Sequence, residues 1–553
     1  MLTYFVIVPI LVAVFLYLFH FNKAARIIAI TAQAGFLAAS FFLFNLTATY
    51  GEVITNIGDY EGVLGIYLRA DNLSSVFVLL TAFLFLIVAI YSYNEASSRM
   101  FWFMLFIWEG SLIGVFLTGD FFNVFVLKEV ATIAVTVLIM YYRLKRSLYD
   151  GIIYLMINIV IMQFFLFGVG YIYMLAGALD MRLVSQVLAG VDRSLLILPY
   201  ALIMTFVALK CALIPVYSWL PKAHGTPGAP AGVSAILSGL HIKSGVYLFL
   251  RFHEVFGISI LEPSALFFAI GIVTAIIGIV MSISQVDIKL VLAYSTVAQV
   301  GFIILGLNIG NYYSHAGSLY HIINHAIFKT ALFLIAGIVS HAYHTRNITK
   351  IRGVMRQIPI VGVAAGLSLL GLAGAPMFNA SISKYFMMAQ VGPGLNITLT
   401  IINLGTTIIS IKLASILFGK ADPAQLQEPQ QNEENHDHDG HHGSSIHNKT
   451  GTNALEQAMV LLLGLLSLAG GIFGQQAVYY FFGSDISIDT AGYIEKAVIF
   501  FISLAAGYVL FRRTSQNPIL NRIRTMDMGF RAMCTSIGVF FALVLLSVST
   551  FGL

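Results

Sequence analysis

Several ionisable side chains of this chain sit inside apolar runs, where their chemistry is easiest to read. The run from Leu209 to Pro230, LKCALIPVYSWLPKAHGTPGAP, places Lys210 in an apolar helix and Pro215 five residues later. Proline has no N–H and its ring clashes with the carbonyl one turn back, so the helix should kink or break between Cys211 and Pro215. An amine beside a broken helix at membrane depth is costly unless a wet cavity lies there. The setting points to an ion or proton pathway. The alternative, a lysine snorkelling to the interface, is opposed by apolar sequence on both sides.

Four further stretches have the same character. Glu129 lies mid-helix in GDFFNVFVLKEV, with Lys128 its neighbour but about 100° round the helix, so Glu129 is free to face another helix. In LHIKSGVYLFLR, Lys243 follows His241 by two residues, which places them on nearly opposite faces unless the helix is irregular. Lys243 is the expected pathway member and His241 is as readily a hydrogen-bonded packing residue. His321, His325 and Lys329 stack on one face at i, i+4 and i+8, a polar stripe containing a group that titrates near neutrality. A metal is not expected there, because the stripe lacks a third ligand and carries a repelling lysine. Lys384 follows GLAGAPMFNASISK, whose Gly371, Gly374 and Pro376 should interrupt a second helix.

The elements that hold these residues follow from composition. The chain is 59% hydrophobic and 10% charged, against about 25% charged in soluble domains, so it is a polytopic membrane protein. Apolar runs of spanning length occur near 4–20, 24–47, 72–93, 100–118, 120–141, 151–176, 195–220 and 229–255. They continue at 264–284, 288–308, 315–342, 357–390, 395–418, 455–474, 493–513 and 528–551, which makes sixteen. With the N-terminus outside, the loops assigned to the cytoplasm hold eighteen Lys and Arg against four in the others. The N-terminus is therefore expected to be extracytoplasmic, and the first run is read as a retained helix rather than a cleaved signal. Lys496 and Arg531, close to span ends, are read as snorkelling.

Residues 419–454 break the pattern with ENHDHDGHHGSSIHNK, whose five histidines could hold a transition metal but more often mark a solvated loop. Cys211 and Cys534 imply neither a disulfide framework nor a metal cluster. No phosphate-cradling glycine loop, nucleophile triad or CxxC pair stands out, so no cofactor is expected. The basic residues are scattered over short loops rather than patched, which gives no sign of nucleic-acid binding. The two broken helices, each with a lysine nearby, lie in corresponding parts of two five-helix blocks, the pattern of an internally repeated transporter fold.

At these residues the chain resembles the antiporter-like membrane subunits shared by respiratory complex I, membrane-bound hydrogenases and Mrp-type sodium/proton antiporters. GDFFNVFVLKEV is similar to the family's fifth-helix motif and LKCALIPVYSWLPKAH to its broken seventh helix. IKSGVYLFLR, HIINHAIFKTALFLIAG and GAPMFNASISK are similar to helices eight, eleven and twelve, and the match covers roughly 70–418. GDFFN and FNASISK lean towards the D-type Mrp subunit. The twelfth-helix motif departs from the family at Pro376-Met377 and Ala380-Ser381.

The resemblance implies an all-α, fourteen-helix core with two inverted repeats, here followed by about two extra helices, working within a larger membrane complex. It divides the chain into N-terminal helices (1–99), a first repeat (100–255), a second repeat (264–418), the His-rich cytoplasmic loop (419–454) and C-terminal helices (455–553). It makes Glu129 and Lys210 the gating pair, Lys243 and His325 relays with His321 and Lys329 in the same motif, and Lys384 the exit-side lysine. The implied function is proton movement, in exchange for sodium or alone, across the cell membrane. The competing readings are a proton-pumping subunit of a redox-driven complex, itself without a redox centre, and an inert scaffold. The idle buried charges of a scaffold would only cost stability.

Overall fold

Aspartate and asparagine side chains start many of the helices. In the computed structural model of the chain, Asp71, Asp120, Asp180, Asp192, Asp287 and Asn311 each accept from a backbone N–H of the first turn. The structure describes residues 1–18, 23–57, 65–94, 98–259, 262, 264–420, 452–514 and 517–551. The His-rich tract expected as a loop lies outside the described residues.

The first helices are α1 (Leu2–Leu18), α2 (Lys23–Tyr50), α3 (Asn72–Tyr91), α4 (Arg99–Leu117), α5 (Phe121–Ile139), α6 (Lys145–Ala176), α7 (Met181–Leu188) and α8 (Arg193–Lys210). Next come α9 (Trp219–Gly225), α10 (Ala231–Ile236), a π-helical turn (Leu237–His241), α11 (Lys243–Val255), α12 (Ala265–Ser284), α13 (Ile288–Leu307) and α14 (Tyr312–Ala342). The remainder are α15 (Val354–Gln357), α16 (Pro359–Ala373), α17 (Asn379–Met387), α18 (Pro393–Ala414), α19 (Ala454–Ile472), α20 (Gly474–Phe482), α21 (Thr490–Thr514), α22 (Pro518–Arg524) and α23 (Phe530–Phe551).

Among the described residues, fourteen helical segments are long and apolar enough to span a membrane, and α1 and α16 are shorter apolar helices, so helix is present in all sixteen expected runs. Both expected breaks are present. Helix α8 ends at Lys210, and the Trp219 Nε1–H donates back to the Leu209 carbonyl at 2.8 Å, covering an acceptor at the break. Helix α16 ends at Gly374, whose φ of +79° is the left-handed conformation that glycine adopts without strain.

The chain is nearly all helical, as expected, with one short strand pair besides the helices. Between α2 and α3 the chain forms an antiparallel hairpin, β1 (Val53–Asn56) paired with β2 (Tyr67–Ala70). The segment lies outside the apolar runs, where no helical periodicity constrained it.

Contacts between loops sort into two faces, in line with the alternation used to count charges. On one face Leu68 bridges Thr118, and Asp120 bridges Asp180. On the other, which carries the excess of basic residues, Asp287 bridges Asn347 and Arg346 donates to the Gly225 carbonyl at 2.6 Å. Chain crossing from α21 to α23 is also pinned to this basic face. Arg524 Nε donates to the Ser284 carbonyl at 2.9 Å, and Asp527 pairs with Lys222 at 2.5 Å.

The hairpin face is fastened by Arg251, which grips Asp71 through two contacts of 2.5 and 2.6 Å and reaches Tyr247 and Glu254, each at 3.0 Å. Burial would raise the Asp71 carboxyl, but Arg251 and the Ser74 amide outweigh it and hold it below its ordinary 3.8, at about 2. A carboxyl lowered in this way stabilises above its unfolded value, and the contribution fades as pH falls towards about 2. Arg251→Met should therefore cost roughly 2 kcal/mol near neutral pH. In thermal unfolding of the detergent-solubilised protein, the gap to wild type should narrow below about pH 4.

Candidate functional site

The site begins where α8 stops. Lys210 is its last residue, buried, and its amine donates to Asn158 Oδ1 of α6 at 2.6 Å. The expected Glu129 contact is not formed. Glu129 is half-buried on α5, within electrostatic reach of Lys210 but in no ion pair. The face to which Glu129 turns was readable from helical spacing; the neighbour that took Lys210 was an uncharged asparagine with no hydropathy signal. Lys128, the residue beside Glu129, is buried and donates to Ser244 Oγ.

Ser244 belongs to the turn that links the two halves of the site. The π-helical segment Leu237–His241 widens the helix just ahead of Lys243. The helix is irregular here, and His241 and Lys243 turn to different neighbours. His241 turns to Trp108 and Tyr154, its Nδ1 accepting from Trp108 Nε1 at 3.1 Å and its Nε2 lying 3.5 Å from Tyr154 Oη. Indole N–H only donates, so Nδ1 carries no proton in this arrangement and His241 is a fixed packing residue. Lys243, fully buried, donates to the Ser238 carbonyl inside the same turn.

Helix α14 continues the line. Lys329 donates to the Leu292 carbonyl at 3.0 Å and to Ser295 Oγ. His325, one turn away, is fully buried with neither ring nitrogen partnered. It lies within electrostatic reach of Lys243, Lys329 and His321. His321 joins Ser383 Oγ and Gln299 Oε1, each at 2.8 Å. Through Ser383 it reaches α17, one residue before Lys384.

The Lys384 amine folds back onto the interrupted end of α16, donating to the Leu372, Ala373 and Thr406 oxygens at 3.3, 3.0 and 3.1 Å. A cation placed there meets the negative end of the helix dipole. It borders a pocket with about 570 Å3 of empty space between α17, α18 and α21, which Tyr493 and Lys496 also line. Lys496 is thus more than a snorkelling residue: its amine donates to Asn396 Oδ1 at 3.0 Å.

Sequence reasoning missed His224. It sits on α9, fully buried, stacked on Phe333 with centroids 4.5 Å apart, and neither ring nitrogen has a partner. Lys289, Lys329 and Lys243 are the charges around it. Beyond Lys289 lies an open cavity on the basic face, with about 1030 Å3 of empty space. The residue stood within the Leu209–Pro230 run, but a histidine just after a break reads as a loop residue.

Among the described residues, Lys210, Lys243, Lys329 and Lys384 make no ion pair with a carboxylate; neutral oxygens hold them. A proton on one amine therefore raises the cost of a proton on the next, and little else compensates. That is an arrangement suited to passing protons along rather than to storing charge. No group of three metal-ligating side chains occurs among the described residues.

The family described as NADH:quinone oxidoreductase/Mrp antiporter, TM, matches residues 118–410. The chain is 30% identical over 390 residues to the D-type subunit of the Na(+)/H(+) antiporter of Alkalihalophilus pseudofirmus, covering 69% of this chain and 79% of that one. It is 32% identical over 337 residues to the N-type subunit of the NADH-quinone oxidoreductase of Desulforudis audaxviator, covering 59% and 66%. In fold it is similar to a chain of the Mrp complex from a Dietzia species, with a TM-score of 0.77 at 23% identity, covering 90% of this chain and 99% of that one. A chain of an archaeal membrane-bound sulfane sulfur reductase gives 0.75 at 20% identity, covering 91% and 99%.

Proposed function

Because the chain belongs to the NADH:quinone oxidoreductase/Mrp antiporter membrane family, we propose that it is the ion-translocating subunit of a multisubunit membrane complex, moving protons in exchange for sodium. The observation that carries this reading is the buried succession Lys210, Lys243, Lys329, His325, His321 and Lys384, whose lysines are held by neutral oxygens and whose two end members lie beside the helix breaks. Glu129 and Lys210 act as the charge switch, Lys243, His325 and Lys329 as relays, and Lys384 as the outlet. His224 connects the cavity on the basic face to the relays.

The two breaks support a repeated architecture, with 100–255 and 264–418 as inverted halves. Each lysine places its amine at a break, Lys210 from the helix before it and Lys384 from the helix after it. The basic face is cytoplasmic and the N-terminus extracytoplasmic, as the positive-inside rule requires. Other membrane subunits are the partners, as for the relatives named as antiporter subunits.

Vesicles carrying the purified complex test this. Sodium added to one side should drive proton movement that a pH-sensitive dye reports, and wild-type complex giving no sodium-dependent signal sinks the antiport reading. The relative named as an NADH-quinone oxidoreductase subunit favours a second reading, a proton-pumping subunit of a redox-driven complex. Iron–sulfur or nickel subunits that co-purify would select it, and small membrane subunits alone would select antiport.

A further inference from the structure

Helix α6 carries a polar line that the central file leaves unused. Asp150, Tyr154 and Asn158 follow one another at four-residue steps, so they stack on one face over about 12 Å. Each is only 1% exposed. At the inner end, Asn158 holds the Lys210 amine at 2.6 Å. At the outer end, Asp150 Oδ2 accepts from Arg146 Nε at 2.9 Å, while Asp150 Oδ1 is buried without a partner. Thr226 Oγ1 stands beside that carboxylate, within hydrogen-bonding reach of it. A buried carboxylate whose lone pairs are only partly satisfied marks a place for water.

This outer end lies towards the basic face. Lys222 lies within electrostatic reach of Asp150 and is paired at 2.5 Å with Asp527, whose side chain is 61% exposed. The loop that follows α9 is seated on the first turn of α6, where a Cβ at Gly228 would lie 2.3 Å from Ser147. Midway, Tyr154 stands against the Trp219 ring with centroids 5.6 Å apart. Since Trp108 occupies Nδ1 of the neutral His241 ring, the hydrogen sits on Nε2 and Tyr154 Oη accepts from it. The tyrosine O–H then points its hydrogen away from His241, with Thr132 within hydrogen-bonding reach.

We infer that this face of α6 is the proton inlet for Lys210, separate from the route through His224, Lys329 and Lys243. A proton taken from water at Asp150 passes through bridging water to Tyr154 Oη as Tyr154 releases its own proton inward. The neutral Lys210 amine accepts it, and Asn158 Oδ1 holds the ammonium formed. Only O–H and N–H bonds are exchanged. The inference deepens the proposed function and rests on it.

The test uses the whole complex with its partners in proteoliposomes, with proton flux followed over a pH series on the basic face. Asp150→Asn should lower flux about tenfold, the deficit growing as that side is made alkaline, and Asp150→Glu should restore at least about half of it. Arg146, Lys222, Thr226 and Asp527 surround the carboxylate and are left unchanged. Tyr154→Phe, which removes one hydroxyl and keeps the ring packing, should lower flux about fivefold or more. It decides alone if Asp150→Asn fails to assemble. Smaller losses in both variants, or an Asp150→Asn loss equal at every pH, overturn the inlet. A wild-type complex that moves no protons instead overturns the function on which the inlet rests.

Discussion

Lys210→Ala stops proton movement through the assembled complex, reducing flux by about a hundredfold or more, to background. The amine is the one that ends the broken helix and meets Asn158, so a serial relay loses the member placed there. Assembly should survive, because the lost partner leaves a single neutral amide oxygen, on Asn158, at a cost of about 1–3 kcal/mol. Lys210→Arg keeps the positive charge but cannot release the proton, so it should be equally inactive. That pair of variants separates proton exchange from charge. Glu129→Ala should give the same loss. Two unit charges ~4 Å apart attract by about 4 kcal/mol at an effective dielectric of 20, and by about half that at twice the distance. Separation thus loosens the hold of Lys210 on its proton by roughly 2 kcal/mol, about thirtyfold in occupancy. In the structure Lys210 donates to Asn158, and Glu129 makes no ion pair with it. Near-normal flux in Lys210→Ala or Glu129→Ala, measured by dye quenching in vesicles, would refute the switch.

Gly245→Ala should be nearly as damaging although it removes no polar group. An ideal Cβ at position 245 would lie 2.8 Å from the Lys210 carbonyl carbon and 2.9 Å from the Cys211 nitrogen. These are backbone atoms at the break, which no rotamer change can move aside. Helix α11 must back away from α8, and the turn that links Lys128 through Ser244 to Lys243 moves with it. Overpacking of this kind typically costs about 1–3 kcal/mol, and a shift of about 1 Å in a relay can cost about a hundredfold in rate. The expected result is a lowered thermal midpoint in detergent together with at least about tenfold less flux. Wild-type values for both would show that the two helices are freer to slide than their contact implies.

The amino-acid sequence alone determined where the long apolar helices lie, where two of them break, and which amines lie near the breaks. Those features rest on local physics: bilayer thickness sets the length of an apolar run, proline and glycine interrupt helical hydrogen bonding, and charge is conspicuous among apolar residues. The stripe His321–His325–Lys329 was legible for the same reason, since helical period fixes which residues share a face. Only tertiary structure decided which neighbour each face meets. Asn158 for Lys210, Ser383 for His321, and the Trp108–Tyr154 clasp on His241 come from helices distant in sequence. Asparagine, serine and tyrosine are polar enough to hold an amine yet ordinary enough to pass unnoticed in a span. The π-helical turn ahead of Lys243 was hidden too, because a single widened turn leaves the hydrophobic period on either side almost unchanged. Period and hydropathy choose a side chain's direction; only the packing of the other helices chooses what it touches.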